Sequence, residues 1–276
     1  MEIKYYMPSK LVDNPRKTII GMIHVQALPG TPLHKMAIGD IIEQAVEEAK
    51  VYEHNDVDAI MLENMHDIPY LNRNVGPEIV AAMTAVCVAV KNAVDLPIGL
   101  QILAGANQAA LAVALAADLN FIRAEAFVFS HVADEGWMDG CAGSLLRYRK
   151  QIGAEQIQIF TDIKKKHSSH AITGDLTIAE QSHAAEFFLS EGIIVTGVST
   201  GEPVLKKELL GVREKVALPL LIGSGITIDN IKEYWKLADA FIVGSYFKQM
   251  GNWKNPVDGN RVEHFMQVIT QLRENG

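Results

Sequence analysis

The chain has 276 residues, 49% of them hydrophobic and 21% charged, a balance that suits one large globular domain or two small ones. A formal net charge of −8 argues against a surface built to neutralise nucleic-acid phosphates, while leaving room for a local basic pocket. The two cysteines, Cys87 and Cys141, lie far apart with no CxxC pair, which argues against a disulfide framework or a cysteine zinc site and suits a reducing compartment.

In chain order, the first seventeen residues carry Lys4, Lys10, Arg16 and Lys17 together with Glu2 and Asp13. A cytoplasmic location is the default expectation, with a mitochondrial presequence as the alternative. Beyond them, short aliphatic runs recur about every 25 to 40 residues, each followed by a segment of helical period. The strands are expected at 18–25, 59–64, 97–103, 121–127, 156–164, 192–197, 219–225 and 240–245. The intervening helices begin near Gly39-Asp40, Pro77, Asn107, Ser144, Thr177, Glu202, Thr227 and Arg261, several on residues that start helices well. The longest apolar run, IVAAMTAVCVAVKNAV, is rich in alanine and holds a lysine, so it reads as a packed helix and no membrane insertion is expected.

Eight strands that are apolar almost throughout, alternating with helices, suit a parallel sheet covered by helices and closed as a single-domain (β/α)₈ TIM barrel over residues 1–276. An open doubly wound sheet gives the same local pattern, but no GxGxxG follows the first strand. The longest loops are expected at 26–38 and 128–143.

Chemistry in a barrel sits at the C-terminal ends of the strands. There the sequence offers His24, Glu63, Asn64, His66, Asp67, Arg123, Glu125, Asp162, Lys166 and His167. Glu63 and Asp162 lead as general acid or base, with His24, Lys166 and His167 as proton carriers or, for the lysine, a base or Schiff-base nucleophile. Arg123 and Glu125 are two residues apart, so they share one strand face and are expected as a lumenal pair that positions substrate or simply fills the barrel. Asn64 and Asp67 are further positioning candidates, although Asp67 also suits a turn before Pro69. Lys164 and Lys165 read as a solvated edge. His24, Glu63, Asp162 and His167 form the one divalent-metal set worth weighing, without an HxH or HExxH signature.

The seventh and eighth strands both end on Gly-Ser, in LLIGSG and FIVGS. Gly223, Ser224, Gly225, Gly244 and Ser245 are expected to present backbone N–H groups and hydroxyls to a phosphate, with Gly197, Thr200 and Gly201 closing the other side. Tight turning alone would need one glycine per loop. The partner is therefore expected to be a phosphorylated small molecule and not nucleic acid. Trp137 and Trp253 leave self-association open, or pack under their own loops.

The motifs GMIHVQALPG, LENMHDIPY, FIRAEAF, DEGWMDGCAGSLLRYR, DIKKKHSSH, TGVSTGEP and VGSYFKQMGNWKNPVDGNRVEHFM together resemble the BtpA/SgcQ family over nearly the whole chain. The last two strands also resemble those of ribulose-phosphate-binding barrels such as phosphoribosylanthranilate isomerase and the tryptophan synthase α subunit. The resemblance implies a barrel of that type. Two functional readings result: from the residues, an enzyme acting on a phosphorylated metabolite by isomerisation, lysis or glycosidic cleavage; from the resemblance, an assembly factor of the kind cyanobacterial members supply to photosystem I. The isomerase family uses a cysteine on its first strand in a KxCG-like setting; here that strand ends MIHV, so that activity is not expected.

Overall fold

Eight parallel strands close on themselves into a barrel, each beside the barrel strands that precede and follow it in the chain and the last beside the first. The computed structural model describes residues 11–12, 16–197 and 203–275. The barrel strands are β1 (Thr18–His24), β2 (Ala59–Glu63), β3 (Ile98–Gln101), β4 (Phe121–Ala124), β7 (Gln158–Ile163), β9 (Gly192–Val195), β10 (Leu220–Ile222) and β11 (Ala240–Val243). Closure is made by β1 against β11, with Thr18 opposite Ala240 and Gly21 opposite Val243. Each strand is as expected or shorter, because the apolar residues at its end bend into the following loop; the ladder of β4 stops at Ala124 and Ala126 takes a φ of 47°.

The helices α1 (Ile38–His54), α2 (Pro77–Ala93), α3 (Asn107–Ala116), α4 (Ala142–Gln151), α5 (Ile178–Phe187), α6 (Lys206–Lys215), α7 (Ile231–Tyr234) and α8 (Gly259–Asn275) alternate with those strands. Thr177 closes a capping box with Glu180 at the start of α5, and Pro77 occupies the first turn of α2. Four starts differ from the expectation: α6 begins at Lys206, four residues after Glu202, and α8 at Gly259, two before Arg261. Helix α4 begins before Ser144, whose hydroxyl bonds the Cys141 carbonyl at 3.0 Å, and α7 is a single turn because Asn230 ties Thr227 and Gly225 into a loop.

Alternation along the strands divides the core in two. Residues such as Ile19, Ile60, Ile122, Ile159 and Ile193 face outward into the helical layer. Ile20, Met22, Met61, Phe121, Phe160, Ile194, Leu221 and Ile242 fill the lumen. The Phe121 and Phe160 rings, 5.4 Å apart, occupy space that neighbouring strands give up by carrying glycine. A Cβ on Gly99 would lie 2.1 Å from Phe121, and one on Gly192 would lie 2.5 Å from Phe160. Overpacking of this sort costs about 1–3 kcal/mol, so Gly99→Ala is expected to lower unfolding stability by that amount, and Phe121→Leu in the same chain to recover part of it. Additive losses in a chemical-denaturation double-mutant cycle would contradict this packing.

The segment expected to be a long loop at 128–143 holds a hairpin. Its strands β5 (His131–Ala133) and β6 (Gly136–Met138) join β8 (Ser168–Ser169) in a small antiparallel sheet, β6-β5-β8. Asn72 Nδ2 donates to the carbonyls of Glu135 and Trp137 at 3.2 and 2.8 Å, while Met138 packs with Leu103, Ala104 and Ala126. The hairpin thereby joins loops from four barrel strands beside the mouth. The other long segment, after β1, is loop as expected.

Candidate functional site

The alternation that fills the lumen continues into polar residues at its C-terminal end. Inward positions run Ile20, Met22, His24 on β1; Ala59, Met61, Glu63 on β2; Gly99, Gln101 on β3; Phe121, Arg123 on β4; and Phe160, Asp162 on β7. Register sets His24, Glu63 and Gln101 side by side on adjacent strands. A greasy plug thus supports a polar ring.

Within that ring Arg123 and Asp162 are both 6% exposed and form a bidentate pair, Nε to Oδ2 at 2.8 Å and Nη2 to Oδ1 at 2.7 Å. Burial opposes the Arg123 charge, and Asp162 overrides it, so the guanidinium holds its proton more firmly than usual. The expected Arg123–Glu125 pairing is replaced by one across strands. Glu125 instead accepts from Gln101 Nε2 at 3.1 Å and lies 3.3 Å from Lys165 Nζ.

Lys165 is not a solvated edge: it is 8% exposed and stands between Glu125 and Glu135, the latter at 3.5 Å. Burial draws its pKa down, but the two carboxylates reverse this and leave it raised. Ladder geometry ends at Ile163 and Lys164 adopts a φ of 50°, which breaks the parity that pointed Lys165 outward.

A cavity of about 280 Å³ opens at the mouth, with His24, Glu63, Arg123 and Lys166 on its wall. His24 Nδ1 lies 2.9 Å from the Trp253 carbonyl, which only accepts, so Nδ1 carries the proton of the neutral ring and Nε2 presents a lone pair. Nε2 stands 4.0 Å from Glu63 Oε2. Burial, with the charge of Lys248 behind it, holds the His24 pKa well below the usual imidazole range. Burial also pushes the Glu63 carboxyl up, with Asp162 adding to it against Arg123 and Lys166. Lys166 is pulled down, first by burial and then by Arg123. A carboxyl that tends to keep its proton and an imidazole that tends to lack one can serve as acid and base in the same cavity.

The loops after β10 and β11 make the adjoining wall. Ser224, Gly225 and Ile226 carry N–H groups with no backbone acceptor among the described residues, and Gly225 needs its glycine for a φ of 74°. Ser224 Oγ accepts from the Gly197 N–H at 3.3 Å. Gly244 and Ser245 open a 3₁₀ turn, Ser245–Phe247, beside His24; a Cβ on Gly244 would lie 3.4 Å from His24 Nε2. Thr200 and Gly201 lie outside the described residues.

One cation of this wall escaped the sequence reading. Arg261, in the first turn of α8, lines the cavity, donates from Nε to the Tyr246 carbonyl at 2.6 Å and stacks 4.5 Å from the Tyr246 ring centroid. Its only local signal is a basic residue where a helix start usually favours acids.

Other candidates stand elsewhere. Asn64 and Asp67 are buried and brace the loops: Asn64 Nδ2 donates to Asp67 at 2.7 Å, Asn64 Oδ1 accepts from the Leu103 N–H, and Asp67 Oδ1 accepts from the Leu28 N–H, each at 2.8 Å. Burial leaves the Asp67 carboxyl raised despite those bonds. His66 packs 5.0 Å from Trp253 and is lowered to about 4 by burial and Lys248. His167 is exposed at a φ of 55° and off the cavity wall. The weighed metal set does not assemble: Asp162 spends both oxygens on Arg123, and among the described residues no three His, Cys, Asp or Glu side chains are grouped to hold an ion. Trp253 is half-buried against His24, whereas Trp137 is exposed and donates to Asp139 at 2.7 Å. Among the described residues, no helix is long and apolar enough to cross a membrane.

Residues 15–271 match the model of the BtpA family. An uncharacterized protein of Caenorhabditis elegans, designated mitochondrial, is 48% identical over 270 residues, 96% of this chain and 97% of that protein. The photosystem I biogenesis protein BtpA of Synechocystis is 32% identical over 254 residues, 92% of this chain and 88% of its own. Among solved structures, phosphoribosyl anthranilate isomerase from Thermus thermophilus superposes with a TM-score of 0.56 at 11% identity, over 92% of this chain and 99% of that one, a likeness of fold.

Proposed function

We propose for this chain, which belongs to the BtpA family, the role of an enzyme that grips a phosphorylated sugar, nucleotide or related small metabolite and moves protons on it. One observation carries the reading: a single cavity has N–H-rich glycine loops and Arg261 on one wall and the Glu63–His24 pair on another. The loops suit a phosphate, since backbone N–H groups at small residues approach an anion closely and a guanidinium adds charge without a competing carboxylate. Glu63 then acts as proton donor and His24 Nε2 as acceptor, with the Arg123–Asp162 pair orienting substrate oxygens.

Ribose 5-phosphate supplied at about 100 times its Kd is expected to stabilise the fold by about 2.7 kcal/mol, where ribose does nothing, and Ser245→Asp is expected to remove the shift by placing a like charge beside the anion. A melting curve unmoved by ribose 5-phosphate, a nucleoside monophosphate and inorganic phosphate overturns the enzyme reading. That result favours the second one, an assembly factor, which draws on the name of the Synechocystis relative. The nematode relative's designation supports a mitochondrial site of action as the alternative to the cytoplasm.

A further inference from the structure

We propose that Lys166 forms a covalent imine with the carbonyl carbon of an open-chain aldose or ketose phosphate; this rests on the reading of the cavity as a phosphate-ester site and narrows its substrate class.

The other cations around the mouth each have a partner in the protein. Arg123 is spent on Asp162, Lys165 on Glu125 and Glu135, and Lys248 on Glu48 at 2.7 Å. Arg261 is stacked on Tyr246 and donates to its carbonyl. Among the described residues, Lys166 alone of the lysines lines the cavity, no carboxylate lies within 4.0 Å of its amine and no hydrogen bond occupies it. A lysine meant only to hold an anion gains from keeping its proton. This one shares its cavity with the Arg123 guanidinium and with Met22 and Met65, surroundings that disfavour its charge, and burial and Arg123 draw its pKa down.

A neutral amine facing a cavity is a nucleophile for carbonyls. Nζ donates its lone pair to the carbonyl carbon, the N–C bond forms, and the C=O π pair moves to oxygen, which takes a proton from Glu63. The ammonium so formed gives one proton to His24 Nε2, leaving a neutral carbinolamine. Re-protonation of the hydroxyl lets water leave as the nitrogen lone pair makes the C=N bond, giving a protonated imine. No oxidant or further reactant enters. The imine withdraws electrons from the adjacent carbon, so a proton there can pass to the base, or the next C–C bond can open. Isomerisation and C–C lysis share this intermediate, whereas glycosidic cleavage has no use for it.

The full-length chain is incubated with dihydroxyacetone phosphate or ribose 5-phosphate, reduced with borohydride and mapped by peptide mass spectrometry. The expected product is the reduced probe on Lys166, suppressed by inorganic phosphate, at least about tenfold weaker with dihydroxyacetone, and lost in Lys166→Arg and Lys166→Met chains that still melt cooperatively. If the phosphorylated probes shift the melting curve but leave Lys166 unmodified, the imine is wrong and the phosphate reading stands. If they neither shift the curve nor label Lys166, both fall. Labelling spread over exposed lysines and indifferent to phosphate also overturns the imine.

Discussion

Arg123→Ala is expected to cost about 3–5 kcal/mol of unfolding free energy, because it strands the Asp162 carboxylate in a buried ring that also holds Glu63 and Glu125. In guanidinium titrations at neutral pH the midpoint should fall with little change in slope. Replacing both partners, as Arg123→Met with Asp162→Leu, should restore much of the lost stability, since a well-packed apolar pair of similar volume avoids desolvating two charges. The double variant should nevertheless fail in turnover, because the guanidinium that orients the substrate is gone. A single variant as stable as the parent at pH 7 would mean that water already solvates this pair.

Glu63→Gln is expected to reduce turnover by about 10²- to 10⁴-fold while leaving the phosphate-dependent melting shift intact. Deuterium wash-in from heavy water into bound ribose 5-phosphate, followed by NMR, reads this without knowledge of the product. The pH profile separates the two groups. His24 must be neutral to accept a proton, so the rate falls on the acid side, and burial with Lys248 moves that limb below the usual histidine range. Glu63 must be protonated to donate, so the rate falls on the alkaline side, and burial moves that limb above the usual carboxylate range. His24→Asn should remove the acid limb from residual activity and Glu63→Gln the alkaline one. Full turnover in Glu63→Gln would sink its role as donor.

The physical signs of the fold were local, which is why they were legible. Repeated apolar runs, helical periods and the absence of GxGxxG are properties of neighbouring residues, and eight such units close into a barrel because each strand must bury both faces. Strand ends likewise mark His24, Glu63 and Asp162 as residues of the barrel mouth, strand parity marks Arg123 and Glu125 as a lumenal pair, and two Gly-Ser endings mark the loops that line the cavity. Gly99 and Gly192, by contrast, look like ordinary strand residues until Phe121 and Phe160 are seen to fill their space.

Partners across the lumen were not legible. Arg123 and Glu125 share a strand face, but residues two apart on an extended strand are separated by about 6.6 Å, whereas the next strand is only about 4.8 Å away. The guanidinium therefore binds Asp162, 39 residues on, and Glu125 turns to Gln101 and Lys165. Parity also fails where the ladder ends: the left-handed turn at Lys164 carries Lys165 inward and leaves the Lys166 amine on the cavity wall. Arg261 arrives from a helix start far along the chain. Sequence alone determined which residue types crowd the barrel mouth, because burial periodicity is local. Tertiary structure decided which of them are paired and which remain available to a ligand, because that depends on distances between segments that only closure of the barrel sets.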